Sequence, residues 1–568
     1  MIRNVLRILA LGLGAAHTTV AVLKQSINED GIGYLDMGDA LMRGDWDMAV
    51  NGIWSPLYAA FLGLVLKLFD PGIRWEFPAA QITNFIIYAL ALICFEYFWR
   101  QLTARYRQQV NLQPDSVGFD STAFMVLGYS LFIWSSLNLT EIWAVTPDML
   151  VAALVYLAAG LLIRLSSTPT STSTALLLGV TLGVGYLAKA SMMPLGLVCL
   201  VLTLAIAGNA RVRLQRLAFS TSGFLIVALP LLVAVSLEHG KPTFSDVGRF
   251  TYLKHVNEMP YPNFKSKLVE LKGSPLHPPR RIHESPPVYE FAHPVGGTYP
   301  MAFDPGYWTA GLQPTVALPQ QLRAVATNLM VYFDIFVRSN GGFLAIVALL
   351  ALLSFPRSTR SRSINLELVM IMWALAALGM YCLVYVTGRY IAPFTVLFWS
   401  GLLSLIALPN QQHFRRLLHF GAPILVAFVW INIGALNLEG LAGMTGFTPL
   451  SESGVQQNQF SDGHGTDHPA VAESLLAQGL EQGDNIGFIG YSFSAYWARL
   501  ARLRIVAEIH PQDLAGFWDA STQGREDILR AFATAGVTAV VAEPLRSNQI
   551  PPGWEVVGRT GYLLHKFR

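Results

Sequence analysis

Long apolar stretches separated by short polar segments fill the first three quarters of this chain, and a coarse alternation of strand-like and helix-like segments replaces them in the last quarter. A membrane-spanning helix needs roughly 20 apolar residues. On that criterion the hydrophobic pattern predicts about eleven spans, near 6–26, 78–98, 119–137, 147–165, 174–188, 191–208, 217–237, 340–355, 366–386, 390–408 and 420–438. A further apolar run, 56–69, is short and opens on proline. Beyond residue 450 the pattern predicts strands at 485–490 and 503–508, a helix at 525–535, a strand at 537–542 and a closing hairpin at 554–567. That is a small α/β unit of roughly 100 residues.

Composition agrees with a membrane protein: 53% of the 568 residues are hydrophobic and only 13% charged, too few charges for an ordinary soluble chain. The formal net charge of +3 gives no argument for nucleic acid, so the position of the basic residues matters more. If 56–69 lies flat on the outer surface, then Arg100, Arg105 and Arg107, Arg211, Arg213 and Arg216, Arg357, Arg360 and Arg362, and Arg415 and Arg416 all fall in inner loops, as the positive-inside rule requires. If it crosses, the same clusters fall outside. The expected architecture is therefore a polytopic α-helical membrane domain, 1–440, with a cytoplasmic N-terminus read as a retained signal anchor. Outer loops are expected at 27–77, with juxtamembrane surface helices, and at 238–339. An extracytoplasmic α/β domain is expected at 451–568. Cys94, Cys199 and Cys382 each fall in an apolar segment, where they act as small buried residues.

In this arrangement ionisable residues gather at the outer helix ends: Asp30, Asp36 and Asp39 after the first span, Glu141 and Asp148 around the third turn, then Lys189 and Arg389. Charges at membrane depth are costly and tend to be functional or paired. In a helix, Tyr34 shares a face with Asp30 while Asp36 lies about 240° around. Each group also has a plainer reading. Asp30 can cap a surface helix with Asp36 and Asp39 on its solvated face; Asp148 follows Pro147 as a helix start; Lys189 can snorkel; Arg389 can sit beside Tyr390 in an aromatic belt. His255, His277, His283 and His293, and the group Asp462, His464, Asp467 and His468, offer metal-ligand types in no closed zinc spacing. Gly487 and Gly490 follow a strand but lack the rest of a dinucleotide fingerprint, so a structural turn is expected.

Taken in order, several short motifs resemble the GT-C glycosyltransferases, particularly the branch with protein O-mannosyltransferases and the lipid A aminoarabinose transferase. They are Asp30, Tyr34 and Asp36; Pro56, Leu57 and Tyr58; Thr146, Pro147 and Asp148; Leu187, Ala188 and Lys189; and Gly388, Arg389 and Tyr390 with Pro393. The resemblance implies an inverting transferase at a bacterial-type inner membrane. It would take a sugar from a polyprenyl-phosphate donor within the membrane lipid and pass it to an acceptor glycan, lipid or protein on the extracytoplasmic face. One carboxylate then serves as base, Asp30 first and Glu29 as its rival, and fixed cations, Lys189 and Arg389, receive the phosphate charge. Tyr34, Glu141, Asp148 and Tyr390 are the accompanying substrate-binding candidates. No cofactor is required, though a divalent metal is possible in such relatives. Two positions depart from the pattern: Gly31 follows Asp30 where relatives carry a bulkier or acidic residue, and Trp54 and Ser55 stand where some carry a donor-binding lysine. A lipid flippase or transporter, or a non-catalytic glycan-binding membrane partner, is the competing expectation.

Overall fold

The computed structural model describes residues 1–25, 27–112, 115–259, 271–291, 293–294, 296–354, 366–444, 467–543 and 550–567. Every one of the eleven apolar stretches contains a helix, but they differ in reach. Among the described residues six helices are long and apolar enough to cross a membrane alone: Ile2–Lys24, Glu76–Asn111, Ser121–Leu139, Asp148–Ser167, Ala210–Glu238 and Gln412–Ile431. A seventh arises if Leu318–Arg338 and Gly341–Leu352, which meet at 77°, form one broken span. Thr172–Ala188, Met192–Ala205 and Leu366–Cys382 are shorter apolar helices. Helix Leu318–Phe333 lies within the stretch expected to be outer loop. Its apolar side is periodic, yet its mixed composition hid it from a search for continuous apolar runs.

The helices pack through an aromatic core and through glycines. Phe95, Phe98 and Trp99 of Glu76–Asn111 meet Phe132 and Tyr156 of the next two spans. Thr172–Ala188 and Ala210–Glu238 touch backbone to backbone: a Cβ on Gly179 would lie 1.9 Å from the Ser220 carbonyl oxygen. Small residues permit this close approach where lipid supplies no hydrophobic drive. Two of the arginines expected in inner loops make structural contacts. Arg105 donates to the buried Glu367 at 2.9 Å, and buried Arg216 donates to the carbonyls of Ile206 and Ala207 at the end of the preceding helix, a helix-end role for a cation. Arg357, Arg360 and Arg362 lie outside the described residues.

Two short helices follow the first span. Glu29–Arg43 and Pro56–Phe69 cross at a pair of glycines, where a Cβ on Gly63 would sit 2.4 Å from the Gly38 oxygen. Pro56–Phe69 has 14 residues, about 21 Å at 1.5 Å per residue, short of a bilayer core. Its Leu64, Leu68 and Phe69 are exposed while Tyr58, Leu62 and Leu66 are buried, the two-sidedness of an interfacial helix.

The C-terminal strands and helix lie close to the stretches where alternation put them: Asn485–Ile489, Arg504–Ile509, Thr522–Thr534, Ala539–Ala542 and the pair Glu555–Val556 with Leu563–Lys566. The expected boundary, however, cuts through the sheet. Its seven strands run in the order Arg280–Glu284, Pro287–Glu290, Arg504–Ile509, Asn485–Ile489, Ala539–Ala542, Leu563–Lys566, Glu555–Val556. The first two come from the 238–339 loop. Tyr289 and Glu290 pair antiparallel with Glu508 and Ala507, covering an edge that would otherwise expose unpaired backbone groups. Gly487 lies within strand Asn485–Ile489 and not in the expected turn; Phe532 occupies the space a Cβ would take, 2.5 Å away, and Gly490, with φ +155°, follows the strand.

Candidate functional site

Helix Glu29–Arg43 carries acids toward two opposite neighbours. Its start is fixed by Asn28, whose side-chain oxygen accepts from the Val145 amide at 2.7 Å. Asn28, not Asp30, is therefore the residue at the cap position. The facing turn, 140–147, is held by Glu76–Asn111: the Gln81 amide donates to the Trp143 carbonyl, and the Asn84 amide donates to those of Ile142 and Ala144. Asn84 also accepts from the buried Tyr58 hydroxyl at 2.7 Å. Four separate elements are thus tied together before any charged residue is considered.

Within that frame Asp30, Asp148, Lys189, Arg389 and Tyr390 come together. Arg389 donates to Asp30 at 2.7 Å and stands 3.8 Å from the second oxygen of Asp148. Lys189, at the end of Thr172–Ala188, donates to the other Asp148 oxygen. Its ammonium lies 3.6 Å from the centre of the Tyr390 ring, and the Arg389 guanidinium lies 5.3 Å from it, within cation–π range. Lys189 is not snorkelling; its side chain is 19% exposed and held by a carboxylate. Asp148 is 3% exposed, Arg389 24% and Asp30 38%. Of the two carboxylates, only Asp30 presents a substantial surface to an incoming molecule.

The remaining sequence candidates fall around this group. Tyr34 is buried, edge-on to Trp54 at 4.9 Å and to Tyr58 at 5.2 Å. Glu29 accepts from the Tyr491 hydroxyl of the C-terminal sheet region at 2.9 Å. Glu141 is exposed on the turn with φ +56°, a left-handed backbone uncommon for a non-glycine. Tyr381 and Tyr385 flank Tyr390 at 5.5 and 6.2 Å, and His255 stacks on Tyr385 at 3.9 Å. His277 stacks on Tyr307, and His283 bonds the Pro286 carbonyl. These histidines do not converge, and among the described residues no three His, Cys, Asp or Glu side chains are grouped to hold a metal. Asp462 and His464 lie outside the described residues.

Asp36 and Asp39 are not a solvated face. They meet a second charge cluster that the sequence did not reveal. Arg499 donates to Asp36 at 2.8 Å and Asp39 at 2.6 Å and pairs with Glu76 at 3.2 Å; Arg502 reaches Asp39 at 2.5 Å and Glu76 at 3.0 Å. Thr298, from the 238–339 loop, donates its amide and hydroxyl to Asp36. Burial raises the Asp39 carboxyl, but Arg499 and Arg502 outweigh it and hold the group below its ordinary range. Arg499 lies in the short helix Tyr496–Leu500 and Arg502 just past its end in a left-handed backbone conformation, φ +57°, so helical spacing gave no sign that both face the same acids. Their partners, more than 400 residues away, left no local trace.

Compared with known protein families and with curated proteins, the sequence matches none. Among solved structures, the chain is similar to ArnT from Cupriavidus metallidurans bound to undecaprenyl phosphate: TM-score 0.51, 13% identity, with 98% of this chain and 97% of that one covered. The apo form of the same protein gives TM-score 0.51 over 97% and 96%. An oligosaccharyltransferase from Archaeoglobus fulgidus gives TM-score 0.46 at 12% identity, over 94% of this chain and 69% of that one. At this identity the likeness is one of fold: a multi-pass helical membrane domain with a small sheet region.

Proposed function

We propose that this chain is a membrane glycosyltransferase that moves a sugar from a polyprenyl-phosphate carrier to an acceptor hydroxyl, with inversion, on the extracytoplasmic face. The observation that carries the reading is the part-exposed Asp30 held 2.7 Å from Arg389, with Lys189 fixed beside them by the buried Asp148. The whole-chain likeness to a structure holding undecaprenyl phosphate supports a lipid-phosphate donor. The positive-inside distribution supports placing Glu29–Arg43 and the sheet region outside, with the eleven apolar helices as spans.

The chemistry needs few groups. The acceptor O–H gives its proton to the Asp30 carboxylate while its oxygen attacks the anomeric carbon. The bond from that carbon to the phosphate oxygen breaks, and its electron pair leaves with the lipid phosphate. Lys189 and Arg389 balance the charge that develops there. Asp148 sits behind both cations and orients them, and Tyr390 supports them from below. Glu29, engaged by Tyr491, borders the site as the rival base. Glu141, on the exposed turn, borders the acceptor side. No step is routed through a metal. The sugar is a hexose or pentose, and the acceptor a glycan, lipid or protein hydroxyl.

A flippase reading is less well supported, because coupled transporters keep ionisable groups near the bilayer midplane and this cluster lies at helix ends. The test supplies purified protein in membranes with a panel of polyprenyl-phosphate sugars and acceptors. Transfer with inverted anomeric configuration is expected. Movement of the donor lipid between leaflets without any transferred sugar would overturn the reading.

A further inference from the structure

The C-terminal sheet region reaches helix Glu29–Arg43 through Tyr491, Arg499 and Arg502, of which Arg499 is the most buried ion-pair partner. Arg499 is 3% exposed and grips Asp36 and Asp39 from one side and Glu76 from the other. Asp36 and Asp39 lie on the same 15-residue helix as Asp30, and six residues at 100° each put Asp36 about 240° around from it. Arg499 therefore holds the back of the helix whose front carries the exposed carboxylate. Glu76 opens the long helix that supplies Gln81 and Asn84 to the 140–147 turn. Arg499, with Arg502 on its exposed side, ties the two scaffolds that set Asp30 against Asp148 and its cations.

Other contacts make that helix sensitive to its position. Gly38 meets Gly63 with no room for a Cβ, Asn28 pins the start to Val145, and Tyr491 reaches Glu29. The loop that gives Thr298 to Asp36 also gives Tyr299, whose hydroxyl donates to the buried Glu508 of the sheet at 2.8 Å. A shift of about 1 Å in a catalytic group costs on the order of 100-fold in rate. We propose that Arg499 is a positioning residue for Asp30, so that the C-terminal sheet region is a working part of the transfer centre and not an appended module. This inference rests on the transferase reading above.

The test uses the full chain in membranes with two variants: Arg499→Lys, which keeps a positive charge, and Arg499→Gln combined with Asp36→Asn, which removes a cation and an anion together. In each, kcat and the donor KM are measured, and hydrogen exchange is followed over Glu29–Arg43 and over strand Asn485–Ile489. The double variant is expected to lose about 10- to 100-fold in kcat with donor KM changed less than about threefold, because donor charge is met by Lys189 and Arg389. Exchange should rise over Glu29–Arg43 while the strand stays protected, and Arg499→Lys should fall between the double variant and wild type. Unchanged kcat with the strand protected would overturn the proposal. So would a rise in donor KM at constant kcat, which would make Arg499 a donor contact. If wild-type protein transfers no sugar, the transferase reading fails by itself, and unaltered exchange over Glu29–Arg43 would then also refute the mechanical coupling.

Discussion

Two charge clusters share the helix Glu29–Arg43, and they are built for opposite ends. At its first turn Asp30 joins Arg389, Lys189 and Asp148, two carboxylates with two cations, and Asp30 and Arg389 remain 38% and 24% exposed. Further along, Asp36, Asp39 and Glu76 face Arg499 and Arg502, three carboxylates with two cations; Arg499, Asp36 and Glu76 form its centre at 3 to 7% exposed, with Asp39 at 20% and Arg502 at 37% on its rim. Buried groups of this kind must satisfy one another, since removal of one leaves an uncompensated charge in a low dielectric. The open cluster leaves part of Asp30 and Arg389 accessible, which is what the proposed exchange of a donor phosphate for a carboxylate at the cations requires. Exposure, more than charge count, separates a candidate reaction centre from a clamp.

The comparison breaks most sharply by removing one cation from each cluster. Arg389→Gln is expected to lower kcat/KM by about 100- to 1,000-fold, the scale for loss of one charge-stabilising donor. The folded protein should lose little stability from it. Arg499→Met should do the reverse in balance, costing about 3–5 kcal/mol of stability because three carboxylates lose a buried partner. Thermal unfolding in detergent and initial rates on the same preparations measure both. Equal stability losses in the two variants would erase the distinction drawn from exposure.

A smaller effect sharpens the clamp side. Burial lowers His510, directly after strand Arg504–Ile509, to about 4, against about 6.5 in an unfolded chain. Between those values the unfolded state binds the extra proton and the folded state does not, so stability rises with pH. The contribution is complete above about 6.5 and is lost as pH falls toward 4, an effect on the order of 1–3 kcal/mol. Asp39 acts in the same direction at lower pH: its depressed value gives stability present above the ordinary carboxylate range and lost on acidification through its folded value. His510→Phe should flatten the first part of that dependence in a pH series of unfolding midpoints.

What was legible in the sequence follows from what is local. Runs of apolar residues marked where helices form, and alternation marked the strands of the last quarter, because period and hydrophobicity are properties of neighbouring residues. Helical spacing separated Asp30 from Asp36, and the two do face different partners. Arg389 lies 359 residues from Asp30, so local pattern could not pair them; charge topology put both at the same ends of helices, and the ordered motifs of a resembling family named them together. Nothing local joined 280–290 to a sheet built 200 residues later, or Arg499 to Asp36, 463 residues away. Pairings of that range are decided by the whole fold and leave no periodic trace at either end. The reach of each helix was equally hidden, since Leu318–Phe333 mixes polar and apolar faces.

The most direct measurement compares initial rates of sugar transfer from a polyprenyl-phosphate donor for wild type, Asp30→Asn and Glu29→Gln in the same membranes. If the exposed carboxylate paired with Arg389 is the base, Asp30→Asn loses about 100- to 10,000-fold, while Glu29→Gln keeps most of the rate. Turnover retained in both variants would contradict a base at the head of this helix.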